Sequence, residues 1–330
     1  MAKIGLVGPY NQIMKDSFYR NLPAGFEAVE VPDPGAYDLL SDVDYILNRT
    51  VEIGAQDLER FPKLRLITKY AVGYDNLDLK AAGERNIPIT NCKGFNSDSV
   101  AELTLAHMLC VYRNILPQYA ALQHQDWSQD RYVNQSFTLH GKTVGIIGLG
   151  SIGSRVARLV QAFGCSVLYY DIVRRSEEEE KQNSWTFCSM EKLLAQSDIV
   201  TLHCPGSAAT HHLIGEKELG CMKASAVLIN CSRGTVVDEA ALIKALEEKR
   251  IAGAGIDVYE TEPPMNNPLL SMPNVSATPH IGGTTFGLGA GMVKFCLQLI
   301  DDYENRRGLP RENIVNYAFL ACPEEVEVHE

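Results

Sequence analysis

Three polar residues with complementary chemistry follow apolar, strand-like segments in the second half of the sequence. They are Arg233 in NCSRGTVVDE, Glu262 in DVYETEPP and His280 in TPHIGG. A guanidinium group can hold a carboxylate through two parallel hydrogen bonds. An imidazole that is paired with a carboxylate can donate a proton to a carbonyl oxygen. Together these groups suit hydride transfer to a 2-oxo acid, in which the substrate must be oriented and its carbonyl oxygen protonated.

A parallel sheet would bring these residues together. Apolar runs at 199–203, 226–230 and 253–256 alternate with helical segments, which is the pattern of a doubly wound α/β fold. Ligands bind such sheets at the carboxyl ends of the strands. Taken singly, a surface arginine is usually a solvated charge and a histidine is usually a structural hydrogen-bond partner. Their shared position after strands favours a joint chemical role.

Residues 142–171 predict a dinucleotide-binding unit. The segment KTVGIIGLGSIGSRVARLVQAFGCSVLYYD contains, in order, a strand, a GxGxxG turn, an amphipathic helix, a second strand and a terminal acid. Gly148 permits the tight turn, Gly150 lets the backbone approach a pyrophosphate, and Gly153 lets the helix pack closely on its strand. The phosphates would then face free amides and the positive end of the helix dipole.

Asp171, at the end of this unit, predicts which dinucleotide binds. Its carboxylate would accept hydrogen bonds from both ribose hydroxyls and would repel a 2′-phosphate, which favours NAD over NADP. Arg174 and Arg175 lie nearby and keep NADP open as an alternative. The glycines alone could belong to an ordinary structural turn, but the complete order of elements argues against that interpretation. The other predicted cofactor-binding residues are Ser151, Ile152, Cys204 and Pro205.

Length and composition indicate an ordinary folded protein. The 330 residues, of which 45% are hydrophobic, suggest two domains. The formal net charge of -11 makes a nucleic-acid partner unexpected. The start MAKIGLVGPY has no leader pattern, and no apolar run is long enough to cross a bilayer. Nine cysteines without a CxxC pair fit a reducing compartment, so we expect a cytoplasmic protein with no metal site.

The first hundred residues predict a smaller α/β unit. Strand-like runs at 3–7, 45–48, 64–68 and 87–90 are separated by helical or turn segments. Beyond them, SDSVAELTLAHMLCVYRNI has apolar residues at helical spacing behind a Ser and Asp start. It predicts one long helix over 97–115 that joins the two domains.

The chain resembles the D-isomer-specific 2-hydroxyacid dehydrogenase family over nearly its whole length. GLGSIG with Asp171, NCSRGTVVDE, DVYETEP and TPHIGG match family motifs in the family's order. The resemblance implies that Arg233 is the catalytic arginine, Glu262 its acid and His280 its acid-base histidine. It therefore implies an NAD-dependent enzyme that transfers hydride between NADH and a small 2-oxo acid.

The resemblance also assigns residues around this catalytic set. Asp257 matches an aspartate that lies near the nicotinamide carboxamide in the family, whereas we expect Glu260 to be a solvated neighbour. Family members bind the substrate carboxylate with backbone amides of a loop in the smaller domain, which matches KYAVGYDN. The predicted substrate-binding residues are Tyr70, Val72, Gly73, Asn96 and Arg233.

The family fold is discontinuous. The resemblance implies a flavodoxin-like α/β substrate domain formed by residues 1–99 and 286–330. A doubly wound, parallel-sheet Rossmann NAD domain, residues 100–285, would be inserted into it. Substrate would lie in the cleft between the domains, and closure of a hinge would exclude water.

Two further segments carry structural expectations. Gly287, Gly289 and Gly291 in FGLGAGM predict a loose or bent start to the helix that returns to the smaller domain, because each glycine costs up to about 1 kcal/mol inside a helix. The segment 118–135, which contains Trp127, resembles the family's dimerisation element. We therefore expect a homodimer.

The substrate stays open between several alternatives. The GTVVDE and IGGTT segments favour the branch that includes 3-phosphoglycerate dehydrogenases and glyoxylate or hydroxypyruvate reductases. A phosphorylated substrate needs cations, for which Arg49 and Lys69 are candidates unless they are solvated charges. Small unphosphorylated 2-oxo acids are at least as well supported. NAD(H)-sensing corepressors are an alternative of another class, but they carry a tryptophan shortly after the histidine, where IGGTT stands here. Formate or phosphite oxidation is a third and minor alternative.

Overall fold

The computed structural model describes residues 1–329, and the chain divides into two compact units. Unit 1 consists of Met1–Asn96 together with Thr285–Glu330, and unit 2 consists of Ser97–Thr284. Each unit is built around its own parallel sheet.

The strands and helices alternate along most of the chain. The strands are β1 Ala2–Val7, β2 Phe26–Val31, β3 Tyr45–Asn48, β4 Leu66–Lys69, β5 Ile89–Asn91, β6 Thr143–Ile147, β7 Ser166–Tyr170, β8 Trp185–Phe187, β9 Ile199–Leu202, β10 Val227–Asn230, β11 Gly253–Ile256, β12 Val275–Ala277, β13 Leu309–Pro310 and β14 Val328–His329. The helices are α1 Gln12–Asn21, α2 Ala55–Glu59, α3 Leu79–Glu84, α4 Ser97–Tyr112, α5 Ile115–Gln123, α6 Ser151–Ala162, α7 Glu177–Asn183, α8 Met190–Gln196, α9 Glu216–Cys221, α10 Glu239–Glu247 and α11 Leu288–Glu304.

The main sheet of unit 1 has five parallel strands in the order β2-β1-β3-β4-β5, which is the flavodoxin-like order. All residues of β3, β4 and β5 are buried, as expected for strands covered on both faces. Apolar side chains of α1 and α11 pack in one core cluster, and those of α2 and α3 pack in another. The predicted flavodoxin-like unit is therefore confirmed.

The glycines at the start of α11 have two different roles. Gly287 precedes the helix with φ of +80°, a left-handed conformation that favours glycine, so the helix begins at Leu288. Gly289 and Gly291 lie inside the helix, where a Cβ atom on Gly289 would come within 2.7 Å of the Tyr70 hydroxyl. The helix is continuous from Leu288 onward with both later glycines inside it, and the loose or bent start stays a prediction for the residues before Leu288.

The sheet of unit 2 has seven parallel strands in the order β12-β11-β10-β9-β6-β7-β8. Renumbered from β6, this is the Rossmann order with a seventh strand added beside the sixth. Apolar residues of α4 and α6 pack in one core cluster, and those of α8, α9 and α10 pack in another. The predicted doubly wound fold is confirmed, and its strand order reverses between β6 and β9.

The prediction of one helix over 97–115 is wrong at its end. Helix α4 ends at Tyr112, and Asn114 adopts a left-handed conformation with φ of +50°. Asparagine tolerates this conformation better than most residues, so it can break a continuous apolar pattern. A second helix, α5, follows, and none of its residues is buried.

Two further observations concern membrane-spanning helices and the cysteines. Within residues 1–329 we find no helix that combines the length and the hydropathy that a membrane span needs. All nine cysteines are free thiols.

Candidate active site

The glycine-rich turn lies where the strand order of unit 2 reverses. Ile147, the last residue of β6, is in register with Tyr170 of β7 and Leu202 of β9. Gly148 and Asp171 therefore leave the sheet at the same edge and at the same level. This edge, at a topological switch point, is where open α/β sheets bind their ligands.

Close backbone packing explains the glycines of the turn. Gly148 has φ of +91°, and a Cβ atom there would lie 2.8 Å from the carbonyl of His203. A Cβ atom on Gly153 would clash with the carbonyl oxygen of Gly148. In contrast, a Cβ atom on Gly150 would meet no atom within 4 Å. Gly150 is the N-cap of α6, so open space lies before the free amides of this helix, which fits a bound pyrophosphate.

The acid at the end of β7 is held by backbone amides. Asp171 Oδ2 accepts a hydrogen bond from Leu149 N at 2.7 Å, and Oδ1 accepts one from Val173 N at 3.1 Å. Ser151 and Ile152 form the first turn of α6, while Cys204 and Pro205 follow β9. All these predicted positions belong to unit 2 and lie after strands or at the helix start. They fit the binding of a dinucleotide.

The three predicted catalytic residues follow three strands that are neighbours in the sheet. Arg233 comes after β10, Glu262 after β11, and His280 after β12. Because parallel strands end at the same edge, this order assembles the three residues on the ligand side of unit 2.

His280 and Glu262 form a hydrogen-bonded pair. Nδ1 of His280 lies 2.7 Å from Oε2 of Glu262, and Oε1 of Glu262 accepts a hydrogen bond from Tyr259 N at 3.2 Å. Nε2 of His280 makes no hydrogen bond within residues 1–329. The imidazole is 48% exposed. A glutamate that holds Nδ1–H leaves Nε2 to exchange a proton with a ligand.

Asp257 organises the loop that carries His280. Its carboxylate is buried and accepts three hydrogen bonds, from Thr278 Oγ1 at 2.6 Å and from the amides of Ile281 and Gly282 at 2.8 Å each. The backbone carbonyl of Asp257 also accepts from His280 N at 2.8 Å. The loop 278–282 is therefore fixed by the residue that follows β11.

Arg233 and the glycine that follows it are packed against two other loops of unit 2. A Cβ atom on Gly206 would lie 2.9 Å from Cγ of Arg233, so this glycine makes room for the arginine. A Cβ atom on the next residue, Gly234, would clash with the carbonyl group of Tyr259. Nη1 of Arg233 donates to the carbonyl of Ser232 at 2.7 Å. The segment that carries Arg233 and the segment that leads to Glu262 therefore pack directly against each other.

Comparison with known proteins identifies the family. The profile of the D-isomer specific 2-hydroxyacid dehydrogenase NAD binding domain matches residues 105–282, more than half of the chain. The chain belongs to the D-isomer-specific 2-hydroxyacid dehydrogenase family. It is an NAD-dependent oxidoreductase that acts on CH–OH groups, a D-2-hydroxyacid dehydrogenase.

Individual relatives agree with this family. The glyoxylate reductase of Thermococcus litoralis is 42% identical over 250 residues, which are 74% of this chain and 75% of the relative. The D-3-phosphoglycerate dehydrogenase of Methanocaldococcus jannaschii is 38% identical over 74% of this chain, but only 47% of that protein is covered. The structure of the D-lactate dehydrogenase of Aquifex aeolicus, complexed with NAD and lactic acid, matches with a TM-score of 0.83 and 28% identity over 92% of this chain and 96% of that one.

Two features of this dehydrogenase were not predicted from its sequence. Glu260 is not merely solvated, because its carboxylate forms a hydrogen bond with Nε2 of His212, which belongs to the loop after β9. His107, on α4, is 2% exposed and contacts Ser276 Oγ at 2.9 Å and Thr278 Oγ1 at 3.1 Å. The partners of both histidines lie far away in sequence, so spacing gave no signal.

The predicted substrate loop of the dehydrogenase lies in unit 1, after β4. The carbonyl of Val72 accepts a hydrogen bond from Asn91 Nδ2 at 2.6 Å, and Gly73 follows it directly. Burial raises the pKa of Tyr70 to about 12, so this hydroxyl stays protonated. Oδ1 of Asn96 is buried and has no hydrogen-bond partner within residues 1–329.

Lys69 does not have the environment that a phosphate-binding residue needs. Only 3% of the residue is exposed, and Nζ lies 2.5 Å from Oδ1 of Asn76 and 3.3 Å from Oδ1 of Asn48. It also donates to the carbonyl of Arg49. The ammonium group is therefore engaged inside unit 1.

Proposed function

We propose that this dehydrogenase reduces a small unphosphorylated 2-oxo acid with NADH, and that glyoxylate and hydroxypyruvate are its best substrates. The observation that carries the proposal is the 2.7 Å contact between His280 Nδ1 and Glu262 Oε2. These residues follow β12 and β11, and Arg233 follows the adjacent strand β10. The similarity to glyoxylate reductases supports the small size of the acid.

His280 is the proton donor in this proposal. NADH, held at the glycine-rich turn and by Asp171, would supply the hydride for the carbonyl carbon of the substrate. Glu262 accepts a hydrogen bond from Nδ1–H of the imidazolium and orients the ring, while Nε2–H protonates the carbonyl oxygen. In the oxidative direction the neutral imidazole takes the proton back. The same residue then serves as acid and as base.

Arg233 orients the substrate in this proposal. Its planar guanidinium can pair with a carboxylate and also polarise the neighbouring carbonyl, where negative charge grows during the reaction. Lysine would not replace it, because an ammonium group has no planar pair of donors. The packing of Gly206 and Gly234 around this segment supports a fixed position.

Four residues of unit 1 are further candidates for binding the acid. Backbone amides at Val72 and Gly73 are proposed to bind the substrate carboxylate, and Tyr70 is proposed to select the side chain. Asn96 has a buried Oδ1 without a protein partner, and such an atom is stabilised when a ligand donates to it. This supports a substrate-binding role for Asn96.

A phosphorylated acid is the weaker alternative. Lys69 is buried and already donates to several oxygens, so it adds no free positive charge. Arg49 alone would then have to compensate a phosphate, which usually recruits several donors. We therefore favour reduction of small unphosphorylated acids over oxidation of 3-phosphoglycerate.

We also propose that the enzyme is a homodimer that forms through α5 and the segment after it. The helix exposes Ile115, Leu116, Tyr119 and Leu122, which lie at helical spacing, and Trp127 beyond it is 75% exposed. Contiguous apolar surface of this kind marks a protein interface. A second copy of the chain would cover it.

The test is NADH oxidation by the purified enzyme with a panel of 2-oxo acids. We expect kcat/KM for glyoxylate or hydroxypyruvate to exceed that for 3-phosphohydroxypyruvate by at least about tenfold, with pyruvate and bulkier acids as further comparisons. Preference for the phosphorylated acid would establish the alternative instead. Tight NADH binding without turnover of any acid would favour the sensor interpretation and reject the proposed catalysis.

A further inference from the structure

The loop between β7 and α7 contains charges that the catalytic proposal does not use. The loop and the first turn of α7 have the sequence DIVRRSEEEE, which begins with Asp171 and continues through two arginines into the four glutamates of the helix. Asp171 faces the cofactor edge of the sheet, since it leaves β7 beside the glycine-rich turn. An arginine in this region is what a 2′-phosphate of NADP would need.

Arg174 is held by one of these glutamates. Its Nε and Nη2 atoms donate to Oε1 and Oε2 of Glu180, each at 2.8 Å, which is a two-point pairing of guanidinium and carboxylate. The guanidinium carbon also lies 5.2 Å above the centre of the Phe187 ring, on β8. The Nε–Nη2 edge of the Arg174 guanidinium is therefore occupied by Glu180.

Glu180 is held in turn by Tyr169 of β7. The residue is 8% exposed, and Oε1 accepts a further hydrogen bond from the hydroxyl of Tyr169 at 2.6 Å. Hydrogen bonds from Arg174 and then Tyr169 lower the pKa of Glu180 to about 2. The carboxylate is thus ionised at neutral pH, and it accepts both hydrogen bonds from Arg174.

Arg175 points to the other side of the loop. Its Nη2 donates to the carbonyl of Leu149, whose amide donates to Asp171. Its Nη1 lies 3.8 Å from Oε1 of Glu179, so the second arginine also has an acidic neighbour. The acidic run therefore opposes both arginines, but only Arg174 is bound at two points by a buried acid.

We propose that Glu180 is a specificity residue for the cofactor, because by binding Arg174 it withholds the cation that would accept the 2′-phosphate of NADP. Asp171 then acts on the ribose without competition from a nearby free arginine. NAD preference in this enzyme is set by two acids, one that faces the ribose and one that restrains the arginine. This inference depends on the use of NAD and not on which acid is reduced.

The test is a comparison of NADH and NADPH dissociation constants, measured by fluorescence titration without substrate. Glu180→Gln should bind NADPH about 5- to 10-fold more tightly than the unchanged enzyme, while NADH binding stays within about twofold. Glu178→Gln is the matched control, because Glu178 lies in the same acidic run, is exposed and does not pair with Arg174. It removes the same charge and should leave the ratio of the two constants unchanged.

Two more variants make the result decisive. Adding Arg174→Ala to Glu180→Gln should remove the gained affinity for NADPH, since the freed arginine is its source. Arg174→Ala alone should leave both dissociation constants unchanged, because Glu180 already withholds this side chain. If the single Arg174→Ala change weakens NADPH binding, Arg174 is available in the native enzyme and the inference is wrong. An equal effect of Glu178→Gln and Glu180→Gln would also overturn it, because general charge would then explain the gain. The Arg174→Ala result stands even if Glu180→Gln fails to fold.

Discussion

His280 has an unusual backbone for a residue other than glycine. Its φ of +52° lies in the left-handed region, which is sparsely populated and marks residues held in place by their surroundings. The surroundings are identifiable here, since its amide donates to the carbonyl of Asp257 and the two following amides donate to the Asp257 carboxylate. The imidazole is therefore oriented by its loop as well as by Glu262.

The first prediction concerns the proton donor. His280→Gln should lower kcat by about 10²- to 10⁴-fold, which is the usual contribution of a positioned acid-base group. NADH affinity and the free energy of unfolding should change little, because the side chain is nearly half exposed. Stopped-flow and steady-state assays measure the effect. Retention of more than about half of the activity would reject the assigned role.

The second prediction separates positioning from proton transfer. Asp257→Asn replaces one carboxylate oxygen by an NH₂ group, which cannot accept hydrogen bonds, so either the Gly282 amide or both Thr278 and the Ile281 amide lose their acceptor. Leaving a buried donor unpaired costs about 1–3 kcal/mol, so stability and kcat should both fall. Urea unfolding of this variant, compared with His280→Gln, checks the prediction. A loss of activity at full stability would show that Asp257 acts on a ligand alone.

Short sequence motifs predict the candidate catalytic residues, whereas contacts that form only in the folded chain gave no signal in the sequence. Arg233, Glu262 and His280 stand in short motifs after apolar runs, so they could be located by chemistry and position. The contact of Glu260 with His212 joins two loops, and nothing in either segment indicates it. Burial of Lys69 was equally invisible in the sequence, because lysine is usually exposed and the oxygens of Asn48, Arg49 and Asn76 surround its ammonium group only in the folded chain.

At the scale of elements, two glycines of the glycine-rich turn have different roles, one in stability and one in ligand binding. A methyl group on Gly153 would strike the carbonyl of Gly148, whereas one on Gly150 would meet no protein atom within 4 Å. Gly153→Ala should therefore lower the unfolding midpoint and NADH affinity together. Gly150→Ala should keep the unfolding midpoint and weaken NADH binding by at least about tenfold, because the methyl group would fill the space left for phosphate. Thermal unfolding and NADH titration of both variants test this, and equal NADH affinity in Gly150→Ala would contradict it.

Helix α4 also gives the enzyme a defined response to pH. The Thr278 hydroxyl donates to Asp257, so the 3.1 Å contact with Thr278 requires His107 to donate from Nε2, and Nδ1 then accepts from Ser276. Burial lowers the pKa of His107, and the charge of Asp257 only partly opposes this. The imidazole is therefore neutral in the folded protein.

The corresponding prediction concerns stability in mild acid. Below the ordinary histidine pKa of about 6.5, His107 is protonated in the unfolded chain. In the folded protein its lowered pKa keeps it neutral to lower pH. The free energy of unfolding should thus fall as the pH decreases, by at most about 1.4 kcal/mol per pH unit from this group. His107→Gln should flatten the dependence in urea unfolding between pH 7.5 and 5.5. An unchanged slope would assign the effect to other groups.

The elements themselves were largely predictable, and their ends were not. Strands β3 and β11 match the predicted runs residue for residue, because each is a compact apolar segment with clear flanks. The predicted helix over 97–115 failed at Asn114, since a left-handed residue interrupts the chain without interrupting the apolar pattern. Strand order within each sheet required the family resemblance, because spacing alone does not give it.

At the scale of the whole molecule, the prediction is that the apolar surface of α5 joins two copies. Leu122→Glu places a charge on this surface and should raise the dimer dissociation constant by roughly 30-fold or more. Gln123→Glu, at the neighbouring exposed position, is the control and should have little effect. Sedimentation velocity over a concentration series measures both. A native protein that is monomeric at all concentrations would reject the dimer.

The division of unit 1 between the two ends of the sequence has a consequence for synthesis on the ribosome. Strands β1 to β5 emerge first, but α11, which covers one of their faces through residues such as Val293 and Ile300, emerges only after all of unit 2. At about 5–20 residues per second this delay lasts roughly ten to forty seconds. During that time the nascent sheet presents an apolar face that chaperones can bind. The first sheet to be translated is thus the last to be completed.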